Sequence, residues 1–260
     1  MFAFQDKRSA VEVAFTDRFG GRSAGPYAEL TLTVPTDPGA VEQSVDENWD
    51  LVSHAMMRGG PPDGDNPFEL PPGTPSVTRV FSMRQVHGAR VLVVDGETPP
   101  NGSEADAAVT ATPGVILAAR AADCIPVLLA DPDRNVVGGA HAGRVGVLAG
   151  VVPSAVAALR DLGAERLVAW IGPAACGRCY EVPATMREEV GAVLPETWSE
   201  TSWGTPALDL VAGVQAQLRA AGVQEVVDLK RCTIEDADFY SHRRQHGVAG
   251  RHAGLVWVRP

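Results

Sequence analysis

The sequence has 260 residues, of which 45% are hydrophobic and 21% are charged, proportions that are ordinary for a globular protein. Its formal net charge of -10 argues against a protein that binds nucleic acid or a membrane surface, because both need a basic face. No run of about 18 uncharged apolar residues occurs, and the four cysteines are too few for a disulfide scaffold. We therefore expect a soluble cytoplasmic protein with no nucleic-acid or membrane partner.

The first third of the chain predicts both strands and a helix. Two strands, 11–19 and 28–34, flank the glycine-rich turn GGRSAGP, and apolar residues follow helical spacing over 40–58. Proline and glycine are too dense over 59–76 for a helix or strand, so we expect an exposed loop there.

From residue 77 onward the pattern predicts strands that alternate with helices. A strand pair over 77–95 is interrupted near His87, and helices are predicted over 148–163 and 208–222. The remaining strands are predicted at 107–120, 125–132, 136–143, 166–174, 223–229 and 254–260. Because no repeat or polar linker divides the chain, we expect a single α+β domain over residues 1–260, with a mixed β-sheet core flanked by helices.

Three short motifs resemble reactive sites, but their surroundings argue against each. GRSAG, with Ser23 at its centre, fits the serine hydrolase pattern, yet a strand-like segment follows where that motif needs a helix. Cys176 and Cys179 lack the second C-x-x-C of a zinc ribbon, because Cys232 stands alone in the sequence. No histidine has glutamate at the H-x-E spacing of a nucleobase deaminase. We therefore expect a turn at Ser23 and no metal at the C-x-x-C pair.

Three metal-ligand residues lie at the ends of predicted strands: His87 in QVHGAR, Cys124 in ADCIPV and His141 in GAHAGR. They are too far apart for a local finger, but the ends of neighbouring strands can converge on one point. Two imidazoles and a thiolate suit zinc, and three protein ligands leave a fourth position for water or substrate. A buried cysteine can equally be a small hydrophobic core residue, so the pattern alone leaves that alternative open.

Six motifs occur in a fixed order along the chain: QVHG, EADAAVT, AADCIPVLLAD, AHAGR, IGPAACGRCYEV and FYSHRR. Their order resembles that of the laccase-like multicopper polyphenol oxidoreductase family, also called the peptidoglycan editing factor family, whose members are described as purine nucleoside phosphorylases. The resemblance implies an α+β fold similar to the catalytic domains of toxin-like Cys–His hydrolases. It also implies that His87, Cys124 and His141 bind the metal and serve in catalysis.

The resemblance further implies a zinc-dependent purine nucleoside phosphorylase that acts on adenosine, inosine and methylthioadenosine, with adenosine deamination open as a second activity. Its partners would be a purine nucleoside and phosphate, and Asp106 and Asp123 are candidates for proton transfer. Zn²⁺ is favoured over Cu²⁺, because six histidines are too few to build a blue-copper site and a trinuclear site.

Arginine is expected to hold the phosphate, because its planar fork matches an oxyanion. Neither lysine follows a glycine, so a Walker-type phosphate loop is excluded. Arg243 and Arg244 lie in FYSHRR, and Arg18 lies in FTDRFGGRSAGPYAELTL, which resembles the family's N-terminal motif; these three are the predicted phosphate ligands. After AHAG the family usually has Trp-Arg-Gly, whereas this chain has Arg-Val-Gly, so that arginine contact is either lost or moved to Arg144.

Other functions stay open at this stage. A cysteine hydrolase would use Cys124 to attack an amide or a peptidoglycan-precursor bond, with His141 as the base. A copper-dependent polyphenol oxidase and a zinc-stabilised binding protein without turnover are the remaining alternatives. We expect a monomer or a homodimer.

Overall fold

The computed structural model describes residues 1–33, 42–59, 79–95 and 98–260, which form two large β-sheets, one small sheet and five α-helices. The strands are β1 (Phe2–Arg8), β2 (Val11–Thr16), β3 (Arg79–Ser82), β4 (Val91–Val93), β5 (Ala107–Thr110), β6 (Val115–Ala121), β7 (Ile125–Asp131), β8 (Val136–Ala142), β9 (Val168–Ile171), β10 (Trp198–Glu200), β11 (Pro206–Leu208), β12 (Glu225–Asp228) and β13 (His252–Val258). The helices are α1 (Glu42–Arg58), α2 (Arg144–Leu148), α3 (Val151–Asp161), α4 (Ala184–Val193) and α5 (Leu210–Ala220).

Both large sheets are mixed. The first has the strand order β1-β2-β13-β6-β3 and is antiparallel except where β3 pairs with β6. The second has the order β12-β9-β7-β8-β5-β4, with parallel pairs only at its two edges. The predicted α+β class with a mixed sheet core is confirmed.

One hydrophobic core lies between the two large sheets. Phe15 and Leu117 from the first sheet pack with Leu128 and Trp170 from the second, and all four side chains are fully buried. Helix α1 covers the outer face of the first sheet, while α3 and α5 cover the outer face of the second. The central strands are therefore buried on both faces, which explains why IPVLLAD reads as one apolar run.

One predicted strand is wrong. In the described part of AELTLTV, Leu30 and Leu32 are buried, as the alternation requires, but the backbone forms turns. The Asn48 side chain donates hydrogen bonds to the carbonyls of Glu29 and Thr31, at 3.2 and 2.9 Å. A side-chain amide thus satisfies carbonyls that a neighbouring strand would have bonded.

Other boundaries also differ from the sequence prediction. The predicted strand 107–120 is two strands, β5 and β6, because the chain turns at Gly114, whose φ of 81° favours glycine. Strands β1, β10 and β11 and helices α2 and α4 were not predicted. Except for Gly59, the predicted loop over 59–76 lies outside the described residues. No helix in the described ranges is long and apolar enough to cross a bilayer.

The chain passes from the first sheet to the second at two places that matter for the site. One is the connection from β3 to β4, which contains His87, and the other is the connection from β6 to β7, which contains Cys124. The fold therefore brings these two residues to the same region, next to β8.

Candidate active site

The structure brings His87, Cys124 and His141 together, with one ligand atom from each lying within 4.8 Å of the others. His141 lies in β8, where it pairs with Pro126 of β7, so it is adjacent to Cys124 at the start of that strand. The rings of the two histidines meet edge to face, with centroids 4.8 Å apart. The convergence expected from the strand ends is present in the fold.

Two residues of this region adopt a backbone conformation that favours glycine. His87 has a φ of 62° and Asp123 a φ of 85°. Such conformations are costly for other residues and persist where surrounding contacts hold them in place. The strain therefore coincides with the loops that present two of the three cluster residues.

The Asp106 carboxylate holds the two histidines in position. It is fully buried and accepts hydrogen bonds from the backbone N–H groups of Val86, His87 and Gly88, at 3.2, 2.9 and 2.6 Å. It also bonds Nδ1 of His141 at 2.8 Å. Because Nδ1 is engaged, Nε2 is the His141 nitrogen available as a ligand.

The charge states of this pair fit that arrangement. Burial would raise the pKa of Asp106, but its hydrogen bonds with His141 and with the backbone outweigh burial and lower it. Burial lowers the pKa of His141, with Asp106 acting in the opposite direction. The result is an ionised carboxylate beside a neutral imidazole, the form that binds a metal.

The Cys124 thiol is protonated when no cation is nearby. Burial, followed by the charge of Asp123, raises its pKa to about 11. A metal cation at the cluster would favour the thiolate instead. Cys124 is therefore better suited to bind a metal than to act as a free nucleophile.

Gly143 leaves the space that the cluster needs. A Cβ atom at this position would lie 2.6 Å from Nδ1 of His87 and 3.0 Å from the sulfur of Cys124. Any other residue would place its side chain inside the site.

Both carboxylate oxygens of Asp123 are occupied by neighbouring segments. One accepts a hydrogen bond from the Thr233 hydroxyl at 2.6 Å, and the other from the backbone N–H of Arg243 at 2.7 Å. Its carbonyl accepts from the N–H of Ala175 at 2.9 Å. These contacts give Asp123 a positioning role beside Cys124.

A cavity of about 720 Å³ opens onto the His–Cys–His cluster. This volume lies within the range of small-molecule sites, roughly 300–1,000 Å³. Five arginines line it: Arg84, Arg120, Arg144, Arg243 and Arg251. The cavity therefore combines a candidate metal site with a strongly basic wall, although the whole chain is acidic.

Arg120 and Arg251 line the cavity with positive charges that no neighbouring carboxylate in the described ranges neutralises through a salt bridge. Arg120 donates to the Thr33 hydroxyl at 2.7 Å and to the Met83 carbonyl at 2.6 Å. Burial and repulsion from Arg251 lower its pKa to about 10, and burial also lowers the pKa of Arg251. Within the described ranges, neither guanidinium forms a salt bridge with a carboxylate. Both stay protonated at neutral pH, so the wall favours an anion.

Of the three predicted phosphate ligands, only Arg243 lines the cavity. The Arg18 guanidinium bonds the Ala28 carbonyl at 2.7 and 3.0 Å. Arg244 donates to several backbone carbonyls, including that of Asp236 at 2.9 Å. The structure does not bring Arg18 or Arg244 to the cavity, and their guanidinium groups lie against backbone carbonyls outside it.

Sequence reasoning missed several residues of the cavity. The signal for Arg120 was present, because it interrupts the apolar strand VILAARA, where a charge needs a reason. Tyr180 and His242 also line the cavity, but they lie on loops and follow no periodic pattern.

Cys232 stands alone in the sequence, but in the structure it lies next to the C-x-x-C pair. The sulfurs of Cys176, Cys179 and Cys232 and a carboxylate oxygen of Glu235 all lie within 4.8 Å of one another. This second cluster is separate from the His–Cys–His cluster.

Comparison with known proteins agrees with this geometry. The family model described as multi-copper polyphenol oxidoreductase laccase matches residues 70–259. The chain is 48% identical to a purine nucleoside phosphorylase of Streptomyces coelicolor over 265 residues, covering 99% of this chain and 100% of the relative. It is 36% identical to the purine nucleoside phosphorylase YfiH of Escherichia coli over 251 residues, covering 95% and 94%.

Solved structures share the fold over nearly the whole chain. A Neisseria meningitidis protein has a TM-score of 0.79 and 29% identity, covering 100% of this chain and 99% of its own. The YlmD protein of Geobacillus stearothermophilus has a TM-score of 0.78 and 29% identity, covering 96% and 93%. The chain therefore belongs to the laccase-like multi-copper polyphenol oxidoreductase family, as its six motifs predicted.

Proposed function

We propose that this chain is a zinc-dependent purine nucleoside phosphorylase acting on inosine, adenosine and methylthioadenosine. The observation that carries the proposal is one cavity that contains both the His–Cys–His cluster and two arginines, Arg120 and Arg251, without carboxylate partners in the described ranges. A phosphorolytic enzyme needs room for a nucleoside and a separate anion, and the cavity offers both. The printed names of the curated relatives support the same activity.

The cluster residues fit a zinc ion. Two imidazole nitrogens and a thiolate are ligands that zinc prefers, and three protein ligands leave one position open. The space beside Gly143 and the carboxylate behind His141 support the same assignment. Bound zinc would supply Lewis acidity at the open position.

A multicopper site has less support. All six histidines lie in the described ranges, and there the only other cluster of potential ligands contains no histidine. A trinuclear copper centre needs several histidines close together. We therefore favour zinc over copper.

The cysteine hydrolase alternative also has less support. Reactive cysteines have a lowered pKa, whereas the pKa of Cys124 is raised. A hydrolase acting on amides or peptidoglycan precursors also has no evident use for a basic wall of five arginines.

In the proposed reaction, a phosphate oxygen bonds to the anomeric carbon of the nucleoside while the glycosidic bond to the base nitrogen breaks. The bonding pair leaves with the purine, which takes up a proton, and inosine or adenosine yields ribose 1-phosphate as the sugar product. Arg120 and Arg251 hold the phosphate, because charge-assisted contacts to a guanidinium fork both bind and orient an oxyanion.

Other residues that line the cavity suit the purine. Tyr180 offers an aromatic face on which the Arg243 guanidinium already lies, 5.2 Å from the ring centre, and Leu210 adds apolar surface. Both carboxylates proposed for proton transfer, Asp106 and Asp123, are occupied by hydrogen bonds. We assign protonation of the leaving base to His242, which lines the cavity.

The test is inosine breakdown with and without added phosphate, analysed by chromatography. We expect hypoxanthine and ribose 1-phosphate, and only when phosphate is present. Arg251→Met should lower kcat/KM for phosphate by roughly ten- to a hundredfold, the scale of a lost charge-assisted contact. The control is Arg134→Met, an exposed arginine paired with Glu165 on the surface.

Two outcomes would redirect the proposal. Release of free ribose without phosphate would identify a hydrolase. Conversion of adenosine into inosine with the glycosidic bond intact would show deamination, the second activity that the family resemblance implies.

A further inference from the structure

The second cluster consists of Cys176, Cys179, Cys232 and Glu235, whose ligand atoms lie within 4.8 Å of one another. Sulfurs bound to one tetrahedral zinc ion are about 3.8 Å apart, as follows from a zinc–sulfur bond of about 2.3 Å. The four side chains can therefore close around an ion with little backbone movement. We propose that they form a second zinc site, which is structural.

The fold builds this cluster by extending a pair of parallel strands. Strand β12 pairs with β9, and the pairing continues beyond both strands as a bridge between Ala174 and Cys232. The bridge places Cys232 beside Cys176. The chain then turns tightly, with the N–H groups of Cys179 and Tyr180 both donating to the Cys176 carbonyl at 3.0 Å. This turn brings the two sulfurs of the C-x-x-C pair to the same side.

Burial raises the pKa of Cys179 and Cys232, so their thiolates form only when a cation binds. The backbone N–H of Cys176 donates to the sulfur of Cys232 at 3.4 Å, a contact that stabilises negative charge on sulfur. Cys179 and Cys232 are buried, whereas Cys176 is half-buried and Glu235 is exposed at the rim. A cleft of about 220 Å³ lined by Cys176 and Cys232 gives an ion access from solvent.

The donor set identifies the metal and the kind of site. Three thiolates and one carboxylate suit tetrahedral zinc, and together they fill all four positions. No position is left for substrate, so the ion would hold structure and carry no chemistry. Binding exchanges the protons of three thiols for the ion and involves no change of oxidation state.

The position of the cluster explains what a zinc ion would stabilise. Ala175 and Thr233, each next to a cluster cysteine, both bond Asp123, which precedes Cys124. Tyr180, which follows Cys179, lines the active-site cavity. The second zinc would therefore fasten together two segments that support the cavity wall.

The first experiment counts zinc in the full-length protein, purified with a reductant, loaded with Zn²⁺ and dialysed. We expect two zinc ions per chain in the wild type and one in Cys232→Ser. The matched control is Cys124→Ser, which should also retain one, and the double variant should retain none. A wild type that binds one ion and loses it in Cys124→Ser, or a Cys232→Ser variant that keeps the wild-type zinc content, would overturn the proposal.

The second experiment replaces zinc with Co²⁺ and needs no folded cysteine variant of the second site. Sulfur-to-cobalt absorption grows with the number of thiolates, so Cys124→Ser should retain about three quarters of the wild-type band. Glu235→Gln, at an exposed position, should fold and should release one zinc faster to a chromophoric chelator. Loss of the whole band in Cys124→Ser, or a Cys176–Cys179 disulfide in the reductant-purified protein, would contradict a second site. Because Cys124→Ser reports the first site separately, failure of either site is distinguishable.

Discussion

Replacing Gly143 with alanine tests the active-site geometry with one methyl group. The φ and ψ of Gly143 are -79° and 167°, which alanine adopts without strain. Gly143 is the N-cap residue of helix α2, a position where alanine is less favourable than glycine. We therefore expect the unfolding free energy of the metal-free protein to fall by no more than about 1 kcal/mol. The fold should survive, and the effect should be confined to the cluster.

The size of the effect follows from the contact distances. The new Cβ would lie 2.6 Å from Nδ1 of His87, about 0.8 Å closer than ordinary van der Waals contact at 3.4 Å, and 3.0 Å from the Cys124 sulfur. Metal ligands tolerate displacements of about 0.2 Å, so the His87 ring would leave its binding position. We expect zinc affinity to fall roughly 10- to 100-fold and kcat/KM to fall on the order of 100-fold.

Gly139→Ala is the matched control, because it makes the same change in β8, two residues from His141. A Cβ at Gly139 would meet its nearest neighbours at 3.8–4.0 Å, which is ordinary contact. The assays are zinc affinity by chelator competition, inosine phosphorolysis, and thermal unfolding of the metal-free proteins. If Gly143→Ala binds zinc and turns over inosine as well as Gly139→Ala does, then the reaction does not occur beside His87 and Cys124.

Two further predictions concern buried polar groups. Asp106→Asn would place an amide NH₂ against the backbone N–H groups that now donate to the carboxylate, so we expect the unfolding free energy to fall by about 1–3 kcal/mol. Because His141 would lose its carboxylate partner, zinc binding should weaken roughly 10- to 100-fold. Urea unfolding measures the stability and chelator titration measures the zinc affinity. An unchanged zinc affinity would contradict a role for Asp106 in orienting His141. Burial lowers the pKa of His252 from 6.5 to about 4, so as pH falls through this range the unfolded chain takes up a proton that the folded chain excludes. Between pH 7.5 and 4, the unfolding free energy of the metal-free wild type should therefore fall by up to about 3 kcal/mol more than that of His252→Gln. Urea unfolding at each pH measures this, and an equal pH dependence in the two proteins would refute it.

The His–Cys–His cluster was predictable because each residue interrupts or adjoins an apolar, strand-like stretch of the sequence. His87, Cys124 and His141 are polar or reactive residues where the pattern predicts burial, and strand ends in neighbouring strands meet. The sequence could not indicate that β3 and β6 belong to one sheet and β7 and β8 to the other. The cluster therefore lies at the crossing between two sheets and not along the edge of one.

The predicted phosphate ligands show what motif position cannot indicate. Arg243 and Arg244 are neighbours in the motif FYSHRR, yet only Arg243 lines the cavity, while the guanidinium groups of Arg244 and Arg18 lie against backbone carbonyls elsewhere. Which way an arginine side chain extends depends on long-range packing. Arg120 was detectable in principle, because a charge in a buried strand needs a partner or a function.

Cys232 shows the limit set by topology. It lies far along the chain from Cys176 and Cys179, and α4, β10, β11 and α5 intervene. Only the parallel pairing of β9 with β12 brings it back, and such pairings are non-local. A search for ligand spacing along the sequence therefore misses a site assembled by a crossover connection.

The two clusters differ in what holds their ligands in place. At the His–Cys–His cluster one buried carboxylate, Asp106, bonds both the loop of His87 and the ring of His141, so these two residues are held in place without an ion. At the second cluster the two segments meet through a backbone bridge, and Glu235 is exposed. An ion there would link the segment of Cys176 and Cys179 to the segment of Cys232 and Glu235 through metal–ligand bonds, in addition to the backbone bridge. Metal at the first site should consequently matter most for turnover, and metal at the second site most for the stability of the cavity wall.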